Sequence, residues 1–261
     1  MFSIQTERGG RASLRRSLTC LALCLISMVL VTGCTLPWRH HVTHTNANTK
    51  AAHAPKPTTA QLLTSLQKSF RQASSFHVTM EVQNPGTVGQ DQIQIRTANG
   101  DVAMPDKVKA QATVIMSGQA LTVNLISVGD NQFITDPVTG QWRVIKGVLD
   151  PRTLTNPNTG IISVVSKVQN VSQPTSAIVG GNPCWQITGQ LDAKYLAFFT
   201  GGGVPAGTML QTVTCIGKGD SLPYLVRVTG QASVGDTPQT TRIFTLSNYN
   251  ESINIAAPQL S

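Results

Sequence analysis

Phe76-His77-Val78-Thr79-Met80-Glu81-Val82-Gln83 alternates strictly, with Phe76, Val78, Met80 and Val82 on one side and His77, Thr79, Glu81 and Gln83 on the other. A period of two with one apolar side predicts a half-buried β-strand. Upstream, Leu62, Leu63, Leu66 and Phe70 recur at helical spacing behind Thr58 or Thr59, either of which can cap a helix ending near Ser74. Downstream, alternation continues to Ile145. Ile93 and Ile95 alternate with Gln92, Gln94 and Arg96, and a turn falls at Pro105-Asp106. Val108, Ala110, Ala112, Val114 and Met116 follow, then Leu121, Val123 and Leu125, and two short strands punctuated by Gly129-Asp130-Asn131 and Pro137-Val138-Thr139-Gly140. This is an antiparallel meander with one polar face, covered by protein on one side only.

The texture changes at Gly147. Asp150-Pro151 and Asn156-Pro157 read as helix starts, and Gly160 to Val168 carries Ile161, Ile162, Val164, Val165 and Val168. Strands follow at Val171–Val179 and Cys184–Leu191. Asp192 then caps a short helix, Ala193 to Phe199, bearing Tyr195, Leu196, Phe198 and Phe199. Gly201-Gly202-Gly203-Val204-Pro205 reads as a mobile link, and strands at Met209–Ile216, Tyr224–Gly230 and Thr240–Tyr249 close the chain. The expected fold is α+β: a curled antiparallel sheet of about ten strands, with two or three helices covering its concave face. Shape alone leaves two interiors open, a filled core or an apolar space for a ligand.

The N-terminus reads as an export signal. Arg8, Arg11, Arg15 and Arg16 precede Leu18 to Val31, a nearly unbroken apolar run of 14 residues. That is shorter than the ~20 residues of a spanning helix. Val31-Thr32-Gly33-Cys34 then forms a bacterial lipobox, in which Cys34 takes diacylglycerol and becomes the first residue of the mature protein. The expected division is residues 1–33 signal peptide, 34–59 lipidated Cys and flexible tether, and 60–258 folded domain. The expected location is the extracytoplasmic face of the cell membrane, held by lipid. The tether contains Pro37, Pro55 and Pro57, and four of the five histidines: His40, His41, His44 and His53. Irregular spacing without partner carboxylates or thiols marks a solvated linker rather than a metal site.

The mature chain keeps 16 basic and 11 acidic residues, a mild excess with no block of like charge. That argues against nucleic acid as a partner. Cys20 and Cys24 leave with the signal, so Cys184 and Cys215 remain as an even pair in an oxidising compartment. A disulfide between them is expected, closing a loop worth roughly 3–4 kcal/mol; two buried free thiols are the alternative. Nothing in the chain organises catalysis. His77 is the one histidine beyond the tether and sits on the polar side of its strand, with no Gly-x-Ser-x-Gly elbow to serve. The acidic residues lie mostly at turns and helix starts. No enzyme, cofactor or metal site is expected.

The order of pieces resembles a family. The lipobox and tether lead to a helix with Leu62-Leu63, then Ser75-Phe76-His77-Val78, Gly100-Asp101-Val102 and Pro105-Asp106-Lys107. A Gly-Asp-Asn turn within Val128 to Phe133, Thr139-Gly140-Gln141-Trp142, Asp150-Pro151 and the Val-rich helix follow, and Leu246-Ser247-Asn248-Tyr249 comes before the tail. The series is similar to the LppX/LprG type of mycobacterial lipoprotein (LppX_LprAFG) over nearly all of residues 60–258. The resemblance implies a half-barrel sheet with helices on its concave side and an apolar cavity between them. Such a cavity holds acyl chains of envelope lipids or glycolipids, carried across the envelope by a monomer working with a membrane transporter. The Cys184–Cys215 pair is a departure from the family pattern.

Acyl chains call for apolar area, at about 25 cal/mol per Å² removed from water. The expected lining is therefore the apolar set on the covering helices: Leu62, Leu66, Phe70, Leu149, Leu154, Ile161, Ile162, Val165, Tyr195, Leu196, Phe198 and Phe199. Gly201 to Gly203 would let the mouth open. The alternative is an anchored module with a filled core that binds a membrane protein or cell-wall polymer. Phe198→Asp is expected to abolish uptake of a fluorescent acyl probe while circular dichroism shows the sheet intact; unchanged uptake would remove the 193–199 helix from the lining.

Overall fold

The computed structural model describes residues 56–89, 92–147, 152, 155, 160–200 and 203–260, which fall in one compact unit, His53–Ser261. The signal peptide, Cys34, most of the tether, Leu149 and Leu154 lie outside the described residues. So do the helix starts expected at Asp150-Pro151 and Asn156-Pro157, and Gly201 and Gly202 of the link. The side chains of Ile161, Ile162, Phe198 and Phe199 are likewise not described.

The stretch Phe76–Gln83 lies in β1 (Ser75–Gln83). The first meander runs β2 (Ile93–Ala103), β3 (Lys107–Met116), β4 (Gln119–Val128), β5 (Asn131–Thr135) and β6 (Trp142–Ile145). The second runs β7 (Thr175–Val179), β8 (Asn182–Asp192), β9 (Met209–Gly217), β10 (Pro223–Thr229) and β11 (Thr241–Ser247). Their order is β6-β5-β4-β3-β2-β1-β11-β10-β9-β8-β7, so β1 stands in the middle with five strands on each side. All neighbours are antiparallel, and the sheet is open, ending at β6 and β7. β1 joins the two meanders by pairing with both β2 and β11.

Alternation in β1 settles which face is inner. Val78, Met80 and Val82 stand opposite Leu246, Phe244 and Arg242 of β11. The row through Phe244 continues to Val226 of β10, Thr214 of β9 and Ile187 of β8. The polar side of β1 faces out, where His77 Nδ1 lies 2.7 Å from Asp101 Oδ1 on β2. α1 (Thr59–Gln72) is capped by Thr58, whose hydroxyl accepts from Gln61 N while the Gln61 side chain accepts from Thr58 N, a capping box. Its stripe of Leu62, Leu66 and Phe70 is buried, and Phe70 packs on Phe76 with ring centroids 5.4 Å apart. α2 (Ile161–Ser166) is shorter than its Gly160–Val168 pattern suggests, as the β-branched content weakens helix propagation. After β8 come a 3₁₀ turn (Ala193–Leu196), begun by Asp192 accepting from Lys194 N, and α3 (Ala197–Thr200).

Two readings change. Ile93 and Ile95 alternate with polar residues, yet they are exposed and Gln94 is buried. The β2–β3 register shifts between Ile95 and Thr97, leaving Arg96 unpaired, and such a bulge re-aims the side chains before it. The outer face is also partly covered: Ile126 and Phe133 form a second small cluster with Ile255 of the C-terminal segment. Gly189 is required where it stands. A Cβ there would lie 2.4 Å from Val168 and 2.8 Å from the Gln169 carbonyl, so the chain leaving α2 could not lie against β8.

Cys184 and Cys215 form a disulfide between β8 and β9, with Cα atoms 5.6 Å apart and a sequence separation of 31. Each is one residue off the inner-face pattern (Trp185 and Ile187, Thr214 and Ile216), so the bridge lies on the outer face. Replacing both cysteines with Ala is expected to lower unfolding free energy by about 3 kcal/mol. Urea titration measures it, and an unchanged midpoint would show that β-pairing alone fixes the two strands.

Candidate functional site: an apolar cavity with a polar mouth

A narrow cavity of about 30 Å³ lies on the inner face. Its floor is sheet: Val78 of β1, Leu191 of β8, Thr212 and Thr214 of β9, Val226 and Val228 of β10, and Phe244 and Leu246 of β11. Its cover is Val164 and Val165 of α2, Val168 just after it, and Leu196 of the 3₁₀ turn. The lining is almost wholly carbon, with Thr212 and Thr214 as the polar members and both buried. Such a surface exerts no directional demand and favours a hydrocarbon guest.

The residues expected from sequence fall into three groups. Val165 and Leu196 line the cavity. Leu62, Leu66 and Phe70 pack in the main core with Phe76, and Tyr195 is half-buried against that core. Leu149, Leu154 and the side chains of Ile161, Ile162, Phe198 and Phe199 lie outside the description. The sheet contributes eight lining residues that sequence reading did not single out. Their signal was present in the period-two alternation of β1, β10 and β11, which marks the inner face without revealing where helices leave it uncovered.

A second, larger chamber of about 360 Å³ adjoins the sheet at Met80 and Arg242. Its other described lining residues are Val88, Gln92, Gln94, Ile93 and Ile95 from β2 and the loop before it, Thr200 and Gly203 after the 3₁₀ turn, and Ser233 and Val234. Arg242 is buried here and bound bidentately to Asp236, Nη1 to Oδ2 at 2.7 Å and Nη2 to Oδ1 at 3.0 Å. Asp236 Oδ2 also accepts from Ala232 N and Ser233 N, so the pair pins the loop that carries Val234. Gly203 has φ +87°, and a Cβ there would lie 2.6 Å from Val234, so glycine is needed where the link meets this loop.

The geometry defines a class: an open antiparallel sheet whose helix-covered face holds an apolar cavity with a larger chamber of mixed polarity beside it. The sequence matches the LppX_LprAFG lipoprotein family over residues 58–255, and the chain belongs to that family. Among solved structures it is similar to LprF from Mycobacterium bovis, with TM-score 0.60 and 17% identity over 76% of this chain and 95% of that one. It is also similar to the lipoprotein LppX of Mycobacterium tuberculosis, with TM-score 0.54 and 18% identity over 76% of this chain and 100% of that one. At these identities the likeness establishes the fold. No curated protein is matched by sequence. Among the described residues no group of acidic, His or Cys side chains is placed to hold a metal, and no helix is long and apolar enough to cross a membrane.

The Arg242–Asp236 pair yields a stability prediction. Asp236→Ala leaves a buried guanidinium unpaired and is expected to cost about 3–5 kcal/mol in urea unfolding. Adding Arg242→Met should restore part of that loss. A double variant as unstable as the single would show that the backbone bonds to Asp236, not the ion pair, hold the loop.

Proposed function

We propose that the protein is a membrane-anchored lipid carrier that binds acyl chains of lipids or glycolipids and moves them across the cell envelope. The observation that carries this reading is the carbon-lined cavity between the inner face of the sheet and the α2 cover. Membership of the LppX_LprAFG lipoprotein family supports it. The N-terminal sequence completes the reading: residues 1–33 are a signal peptide, Cys34 carries the lipid, and residues 34–59 tether the 60–258 domain outside the cytoplasmic membrane. The carrier acts as a monomer, receives or delivers cargo with a membrane transporter, and has no catalytic role.

Transport follows from the physics of the cavity. Movement of the cover would widen the narrow space, and a chain admitted there would leave water at about 25 cal/mol per Å² of apolar area buried, enough to hold a lipid out of aqueous solution. The cover over the cavity is short; α2 has six residues, and its capping residue Gly160 makes no side-chain cap bond. Short helices without caps open at low cost, which suits loading and release. The alternative, an anchored interaction module with a filled core, draws on one observation: Leu62, Leu66 and Phe70 of α1 are fully packed and leave no space at that end.

Native mass spectrometry of the chain from residue 53 onward, purified without detergent, is expected to reveal co-purified lipid. Val165→Asp, which puts a carboxylate into the cavity wall, is expected to abolish that lipid and the uptake of a pyrene-labelled alkyl probe. A lipid-free spectrum with no probe uptake by the unaltered protein would favour the interaction module.

A further inference from the structure

Exposed aliphatic side chains gather at one end of the sheet. Ile93 opens β2 and is 64% exposed, and it pairs with Met116, the exposed last residue of β3. Ile95 and Val234 are exposed along the chamber that Ile93 also lines, and Met209 is exposed where β9 begins at the same end. We infer that this end of the domain docks on a lipid bilayer, its aliphatic side chains entering the boundary between head groups and acyl chains. The inference rests on the anchored-lipoprotein reading and adds to it the surface that meets the membrane.

Charge separates this end from the other. Residues 84–92, 117–118, 201–208 and 230–240 form the connections here, and their ionisable groups are Asp91 and Asp236. Asp236 is buried and paired with Arg242. Asp192 and Lys194, where β8 ends, pair with each other at 3.2 Å. At the opposite end the connections 104–106, 129–130 and 218–222 carry Asp106, Asp130, Lys218 and Asp220. An end poor in charge gives up little hydration on entering a bilayer surface, and each aliphatic group gains by leaving water.

The side-chain types favour lipid over a protein partner. Protein interfaces draw most of their energy from Trp, Tyr and Arg set in pockets. The four connections contain none of these, and no Phe or Lys. Aliphatic groups spread over separate strands and loops suit fluid hydrocarbon, which demands no matching shape. Reach agrees with this. α1 begins at Thr59, whose hydroxyl donates to the Ser172 carbonyl, and Ser172 N donates to the Thr188 carbonyl of β8. Thr188 is four residues from Asp192, so the root of the tether lies ~13 Å along the strand from the apolar end. Residues 35–58 number 24, and a coil of that length spans roughly 25–30 Å, so an anchor at Cys34 leaves this end within reach of the bilayer.

The test is flotation of the chain from residue 53 onward, which lacks the anchor, with vesicles of palmitoyl-oleoyl phosphatidylcholine. The unaltered chain is expected to float, and to lose less than about twofold of its binding at high salt, because apolar burial rather than charge holds it. Ile93→Asp and Met116→Asp are each expected to weaken partition by about tenfold or more. Ile178→Asp, at a residue 73% exposed near the opposite end, is expected to bind like the unaltered chain. Matching circular dichroism spectra confine the comparison to the surface. An equal loss in Ile178→Asp, or flotation that requires phosphatidylglycerol and vanishes in salt, overturns the assignment of this end. A chain that takes up the alkyl probe yet stays off vesicles overturns membrane docking, leaves the carrier reading standing and gives the end to a protein partner. Flotation lost in Ile93→Asp and Met116→Asp, with no probe uptake by the unaltered chain, upholds the docking end and overturns the carrier reading alone.

Discussion

The pairing of β1 with β11 is the constraint on which the rest of the structure depends. It joins the first strand of the domain to the last, some 160 residues away, over a register from His77↔Ser247 to Gln83↔Thr241. Without it the chain holds two separate meanders, each with an open edge and half of a lining. A slip of one residue would turn Val78, Met80 and Val82 to the outside and expose Leu246, Phe244 and Arg242. The apolar cavity and the second chamber both straddle this seam, so a single register sets both. Contacts this distant in sequence carry a large loop-closure cost, so folding is expected to be slow relative to a helical protein of similar length.

Tyr249 secures the far end of the same seam. Its ring packs against Phe76 and its hydroxyl donates to the Pro223 carbonyl, tying the segment after β11 to the start of β10. Burial pushes that hydroxyl far above the ordinary tyrosine pKa, so it stays a neutral donor across physiological pH. Tyr224 beside it is pushed up to about 12 by burial and by its bond to Asp220. Asn250 fixes the other side: its Oδ1 accepts from Ser74 N, and its backbone N–H donates to the Ser75 carbonyl. The chain that leaves β11 is thus locked to the turn that enters β1.

Much of this architecture was legible in the sequence because strict alternation is a local signal. β1 and β3 read directly from it, and Thr58 and Asp192 announced their helical starts by residue type. Where the outcome depended on distant partners, local patterns fell short. Ile93 and Ile95 alternate as buried residues would, yet they are exposed beside the second chamber and Gln94 is buried instead. Leu62, Leu66 and Phe70 form an apolar helix face, but whether such a face fills space or borders it depends on what lies opposite. Phe76 lies opposite, and it fills. The cavity floor was hidden for the same reason: Thr212 and Thr214 are unremarkable in a strand until the helices above leave them uncovered.

The most direct test of the account is a crystal structure of the chain from residue 53 onward with a lipid brominated in mid-chain. The account predicts an anomalous bromine peak between α2 and the sheet, within contact distance of Val165 and Phe244. A protein saturated with that lipid, but with the peak on the outer face or at a sheet edge and with side chains closing the interior, would contradict it.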